Sequence, residues 1–263
     1  MAGRAPSDFL DQAFDGYVKR SPVSVDTDLT ERILIGGYPE PRLRSTARRR
    51  RDWHIAYATA LAERDVVEIA DVNKPGHMSL LLEHLAVRSG QLLNLASIGL
   101  SLGVDAKTVD RWIGLFEKLF IVKRVRAWHR NDLKRLVRTP KVHFIDSGLA
   151  AALQGIDRLK IAKDRQTLGP LLETIVYGEL RKASTMAQER TTITHYRDKD
   201  QDEVDFVLER SPGKVVRSPA TSACSSRSHF IGQFERCREI GPTFIGRASQ
   251  SCQSNPGIQR PHP

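Results

Sequence analysis

No cysteine precedes Cys224 in this 263-residue chain, and the three that exist, Cys224, Cys237 and Cys252, are too widely spaced for a zinc pair or a redox Cys-x-x-Cys. They read as incidental thiols. Aromatic residues make up only 6%, so the core must be mainly aliphatic. No run of about 18 apolar residues occurs, so no membrane-spanning helix is expected. Met1-Ala2-Gly3-Arg4-Ala5-Pro6-Ser7-Asp8 has no apolar stretch of the kind a signal peptide needs, which points to the cytoplasm. No Gly-x-x-x-x-Gly-Lys-[Ser/Thr] segment is found, so the chain offers no phosphate cradle for ATP. From Arg217 onward there is no Leu, Val, Lys or Asp, and neither a helical nor a strand period persists. Such a composition fits a disordered tail. It fits an off-frame reading of a GC-rich gene better, because Val215-Val216 looks like a core strand cut short.

The chain has a net charge of +10 and a pI of about 9.8, which favours anionic partners such as nucleic acid. A length of 263 residues accommodates one large domain or a few small ones. The pattern predicts an α+β chain: a helical N-terminal region, a winged helix-turn-helix, a partial α/β module and an irregular tail. The boundaries expected are 1–35, 36–90, 91–146, 147–216 and 217–263.

Asp28–Ile35 reads as a short helix stopped by Gly36-Gly37, and Tyr38-Pro39-Glu40-Pro41 as a turn or extended link. Residues 42–70 read as one long helix or two, with Trp53, Ala56, Tyr57, Ala60, Leu61 and Arg64 at helical spacing. Arg48-Arg49-Arg50-Arg51 at its start could grip phosphate, but reads better as a solvated face. Residues 77–90 form an amphipathic helix with Leu80, Leu81, Leu85, Ala86 and Val87 inward.

Next comes a helix-turn-helix pattern. A short helix is expected to bury Ala96, Ile98 and Leu100. Gly103 permits a tight turn, and Asp105 can cap a second helix that buries Val109, Ile113, Phe116 and Leu119. Lys107, Thr108 and Arg111 then face outward near its start, where a recognition helix meets DNA. Phe120–Val125 and Lys141–Asp146 read as strands, with a wing at Ala127–Leu133. Lys123 and Arg124 on the first strand extend the basic set. Winged helices also dock proteins, so the expected partner is DNA or another protein.

Leu168–Ala183 is predicted to be a helix with Leu171, Leu172, Ile175, Val176 and Leu180 as its apolar stripe. Strands follow at Thr192–Arg197 and Glu203–Glu209, separated by a polar turn at Asp198–Asp202, with a further turn at Ser211-Pro212-Gly213. Glu173 and Glu203-Val204-Asp205 match two parts of a nuclease metal site. The third part, a Glu-x-Lys on the next strand, is missing after Val216. One reading makes Glu173 and Asp205 ligands of Mg²⁺ in a cleavage reaction. The other makes Glu173 a cap or a partner of Arg197, and Asp205 a strand-end residue in an ion pair. The second is preferred, and no cofactor is expected outside the nuclease alternative. His143 and His195 lie on strand patterns and are not proposed as ligands.

The order of these motifs resembles a large prokaryotic family of AAA-type ATP-binding proteins with a C-terminal domain of unknown function. The matching segments are Gly36-Gly37-Tyr38-Pro39-Glu40, Trp53…Tyr57…Arg64-Asp65, the helix-turn-helix ending Phe120-Ile121-Val122, and Lys141–Leu149. They continue with Gly169-Pro170-Leu171-Leu172-Glu173…Glu179-Leu180, Tyr196-Arg197 and Glu203–Val207. The resemblance runs from about residue 30 to 216. It implies an ATP-binding parent rather than ATPase activity in this chain, with residues 1–35 as the remnant of an ATPase lid. It also implies that the last part is a partial restriction-endonuclease-like α/β module, a nuclease-like fold that here lacks its Glu-x-Lys. The function expected is therefore a non-catalytic fragment that binds nucleic acid or docks to a partner. A Mg²⁺-dependent nuclease using Glu173 and Asp205 is the alternative.

Overall fold

A computed structural model describes residues 8–15, 27–65, 75–129, 138–197, 203–210, 214–218 and 235–236. The expected turns at 198–202 and 211–213, most of the expected wing, and nearly all of the tail beyond Ser218 lie outside the described residues. The described part is α+β, with seven helices, a two-stranded antiparallel sheet, three more helices and a second antiparallel sheet among the described residues.

Helix α1 spans Asp8–Asp15 and α2 spans Thr27–Ile35. Gly36 closes α2 with φ +75°, a left-handed conformation that glycine adopts without a Cβ penalty. The segment expected as a turn or extended link instead forms a short helix, α3, at Pro39–Arg42. Pro39 at its first position explains this, since its φ is already helical and the missing N–H had no partner to lose. Thr46 caps α4, Ala47–Ala60, and a π-helical turn follows at Leu61–Asp65. Residues Ala56 and Ala60 of the expected stripe are exposed, whereas His54, Ala58 and Leu61 are buried. Of the arginine run, Arg48, Arg49 and Arg51 are exposed and Arg50 pairs with Glu31 at 2.6 Å.

Helix α5 spans Pro75–Val87 and buries Met78, Leu81, Leu82, Leu85 and Ala86. Leu80 and Val87, expected inside, lie at the surface. Asn94 caps α6, Leu95–Leu102, and Asp105 caps α7, Ala106–Lys118, each through a side-chain oxygen that accepts a backbone N–H three residues on. Gly103 makes the turn between them at φ +67°. Within α6, Ile98, Gly99 and Leu102 are buried, while Ala96 and Leu100 face out, contrary to expectation.

Strands β1, Val122–Val125, and β2, Lys141–Phe144, pair antiparallel, with Val122 opposite Phe144 and Val125 opposite Lys141. Asp146 then caps α8, Ser147–Leu153. A Cβ on Gly148 would stand 2.6 Å from the Ile35 carbonyl oxygen and 2.7 Å from His54 Nε2, so only glycine lets α8 approach α2 and α4 this closely. After α9, Arg158–Lys163, and a 3₁₀ turn at Arg165–Thr167, the long helix α10 spans Leu168–Met186. The second sheet has the order β3-β4-β5-β6, all antiparallel: Thr192–Arg197, Glu203–Arg210, Lys214–Ser218 and Glu235–Arg236.

Two apolar clusters hold these elements. The larger one joins α2, α4, α5, α6, α7, α8, β1, β2 and the start of α10. The smaller joins Leu10 and Phe14 of α1, Tyr177 and Leu180 of α10, and Phe206, Leu208 and Val216 of the second sheet. Helix α1 is also fixed electrostatically, because Arg210 Nη2 lies 2.5 Å from Asp11 Oδ1 and the guanidinium stacks 4.2 Å over Phe14. Among the described residues no helix is long and apolar enough to cross a membrane.

Candidate functional site

Strand β2 is buried on both faces. Successive side chains of a strand point in opposite directions, so Lys141 and His143 share one face and Val142 and Phe144 the other. Val142 and Phe144 enter the larger apolar cluster. His143 meets α10 and β4 instead, with its ring centroid 4.9 Å from Tyr177 and 5.4 Å from Phe206. This burial pushes its pKa down to about 3, with help from the Lys141 charge, so it is a neutral core residue.

Lys141 enters a group of acids. Its Nζ lies 2.6 Å from Glu203 Oε1, 3.3 Å from Asp205 Oδ1 and 3.7 Å from Glu173 Oε2. Its side chain is 3% exposed. Burial lowers the pKa of the ammonium, but Glu173, Glu203 and Asp205 more than offset this and leave it above its ordinary value. The pKa of Glu173 is raised as well, but for a carboxyl this favours the neutral form. Burial first, and then the neighbouring Asp205 charge, push its carboxyl up to about 8, against the pull of Lys141. Its Oε2 is enclosed and accepts no hydrogen bond. Gly90 makes room for it, since a Cβ there would stand 2.6 Å from that oxygen.

The structure thus brings Glu173 and Asp205 together, as the metal reading required, but around a lysine. Mg²⁺ requires close octahedral oxygen coordination at roughly 2.0–2.1 Å. The point shared by the carboxylates is filled by an ammonium, and among the described residues no group of three or more His, Cys, Asp and Glu side chains is arranged to hold a metal ion. The residues as placed do not fit a metal. Glu173 is directed to Lys141 rather than serving as a helix cap. Sequence reasoning missed Lys141. Its only signal was a charged residue opening an otherwise apolar strand.

The basic residues around α7 divide into two sets. Lys107 and Arg111 project from the exposed side of the helix. Thr108 is half-buried, and both its N–H and its hydroxyl donate to Asp105 at 2.8 Å. Arg124 is clamped by acids: its Nη2 lies 2.7 Å from Glu117 Oε2, and it also pairs with Asp110. Lys123 pairs with the same Glu117 at 3.4 Å. A phosphate would reach Lys107 and Arg111 directly, but could engage Arg124 only by displacing its carboxylates.

A separate cavity of about 380 Å³ is bordered by Arg32, Gly37, Tyr38, Asp146 and Lys182, among others. Asp146 accepts a 2.5 Å hydrogen bond from Gly37 N there while it caps α8. The Gly-Gly-Tyr-Pro segment is thereby fastened to the start of α8.

Comparison with known proteins adds the following. The family model for a domain of unknown function (DUF8612) matches residues 26–160, and that for a second domain of unknown function (DUF4143) matches residues 168–251. The second match therefore extends through much of the compositionally distinct tail. The chain is similar to "Uncharacterized protein Rv2008c" of Mycobacterium tuberculosis and to "Uncharacterized protein Mb2031c" of Mycobacterium bovis. Each is 28% identical over 190 residues, which is 71% of this chain and 42% of the relative. The chain thus spans less than half the length of the curated relatives it matches. No solved structure matches it.

Proposed function

The chain belongs to the DUF8612 family, and on that premise we propose that it is the non-catalytic, nucleic-acid-binding part of a larger ATPase-family protein. In this reading α6, α7, β1 and β2 form a winged helix, and the start of α7 meets the phosphate backbone. The observation that carries it is the division of α7 into two faces. Val109, Trp112, Ile113 and Phe116 are buried, while Lys107 and Arg111 stand exposed beside a capped N-terminus. The net charge of +10 supports it. The ATPase-family part rests on motif order and on the DUF4143 match, a domain often found alongside AAA-type ATPases. The nuclease-like reading of α10 with the second sheet rests on motif order, and the lysine among its acids weighs against cleavage.

A mobility-shift titration of duplex DNA across a salt series tests the proposal. Affinity should fall steeply with salt, and Lys107→Ala with Arg111→Ala should reduce the slope of log K against log salt by about 2. Absence of salt-dependent binding rejects DNA as the partner and favours protein docking by the same face.

A further inference from the structure

A charge enclosed by protein is stable only when it is matched, because water no longer solvates it. Lys141 is matched from a distant part of the chain. Its strand lies in the DUF8612 match, whereas Glu173, Glu203 and Asp205 all lie in the DUF4143 match. These acids come from two elements, α10 and β4, and meet around Nζ. The strand that delivers the lysine is fixed on both edges. On one side β1 pairs with it. On the other, Gly90 N donates to Val142 O at 2.8 Å and Val142 N donates to Gln91 O at 3.1 Å. Val142 and Phe144 anchor its opposite face in the larger core. The backbone of Lys141 is therefore fixed, and its side chain, 3% exposed, is enclosed with the acids.

We propose that Lys141 is a resident counter-ion, which holds the position a divalent cation would occupy among Glu173, Glu203 and Asp205 and so ties β2 to α10 and β4. The inference involves no residue of α7, and stands whether or not α7 binds DNA. It accounts for an acidic group with the residue types of a metal site and the geometry of an internal salt bridge. Without this cation Glu203 and Asp205, with Glu173 beside them, keep their oxygens but lose their positive partner, so the same cluster should take up an added divalent cation once the lysine is removed.

Mn²⁺ is the probe, followed by electron paramagnetic resonance and by thermal melting of the full chain. The wild type should show no saturable uptake at up to roughly 1 mM, where weak oxygen-ligand sites fill. Its melting temperature should not respond to Mn²⁺. Lys141→Met should melt about 10 °C lower, as expected for a buried charge cluster that loses one partner. It should also gain a saturable Mn²⁺ signal, recover part of the lost melting temperature with the metal, and lose both effects when Asp205→Asn is added. Saturable uptake by the wild type that Asp205→Asn abolishes would overturn the proposal, as would a folded Lys141→Met protein that takes up no Mn²⁺. If Lys141→Met does not fold, the wild-type titration still decides the metal question. Glu203→Gln then tests the tie: its melting temperature should fall, and an unchanged value overturns that part.

Discussion

Phe120 occupies a backbone conformation that a bulky side chain rarely adopts, with φ +56°. Its position explains why. Helix α7 ends in a Schellman motif, in which Ile121 N donates to Phe116 O at 3.0 Å and Phe120 N donates to Glu117 O at 3.2 Å. The residue between must be left-handed, and glycine is the usual occupant. Phe120 is 64% exposed, so its ring gains little burial in return. Phe120→Gly should therefore raise stability by roughly 0.5–1 kcal/mol, as relief of the Cβ clash outweighs the extra freedom of the unfolded chain. Urea unfolding would measure it, and a loss of stability would show that the ring makes a contact worth more than the strain. Lys141 presents the opposite case, in which a single side chain is fixed by acids 32 to 64 residues away. No local pattern could announce that contact. The strand period was legible from Lys141 to Phe144, but not what would lie across from each face.

At the scale of elements, the junction of α6 and α7 depends on two glycines with different tasks. Gly103 supplies the left-handed turn and has open space around it. Gly99 supplies close approach, since a Cβ there would stand 2.6 Å from the Val104 carbonyl oxygen. Backbone cannot yield as a flexible side chain can, so Gly99→Ala should destabilise by about 1–3 kcal/mol. Gly103→Ala should cost about 1 kcal/mol, for its backbone conformation alone. Paired denaturation curves would rank them, and a neutral Gly99→Ala would mean that the two helices can separate without loss. This junction also shows what the sequence could and could not convey. The Asp105 cap, Gly103 and the long stripe of α7 place the second helix and the turn before it, whereas the Asn94 cap is seen only in the structure. The inward face of α6 is not readable, because Leu95, Ile98, Leu100 and Leu102 make an eight-residue helix apolar nearly all round. Packing against α7 decides it, and Leu100 is left outside. Likewise, the α3 helix was hidden because prolines signal turns as readily as first helical residues.

The whole molecule should register the charged cluster and the buried histidines as a stability maximum in pH. Folding lowers the pKa of His143 to about 3 and of His195 to about 4, in both cases mainly by burial and then through Lys141. His54 is lowered too, again by burial first. Below the ordinary imidazole value of 6.5 the unfolded chain binds protons that the folded chain refuses, so stability falls as the solution becomes more acidic. Glu173 acts in reverse. Its folded pKa of about 8 exceeds its ordinary 4.5, so the folded chain retains a proton that the unfolded chain has released. That contribution is complete below pH 4.5 and is lost as pH rises through 8. Between 4.5 and 6.5 the histidines outnumber the glutamate, and stability should rise with pH. Above 6.5 the histidines are neutral in both states and Glu173 alone remains, so stability should decline by up to about 1.4 kcal/mol per pH unit toward pH 8. Lys141 adds nothing in this window, because its raised pKa acts only above its ordinary 10.5. Urea unfolding at pH 5.0, 6.5 and 8.0 should place the maximum near 6.5. Glu173→Gln, which keeps the shape but cannot titrate, should flatten the alkaline side and steepen the acidic side between 4.5 and 6.5, where Glu173 otherwise opposes the histidines. A wild-type curve that is level from 6.5 to 8.0 would mean that Glu173 is ionised in the folded chain and that Lys141 is balanced by three negative charges rather than two.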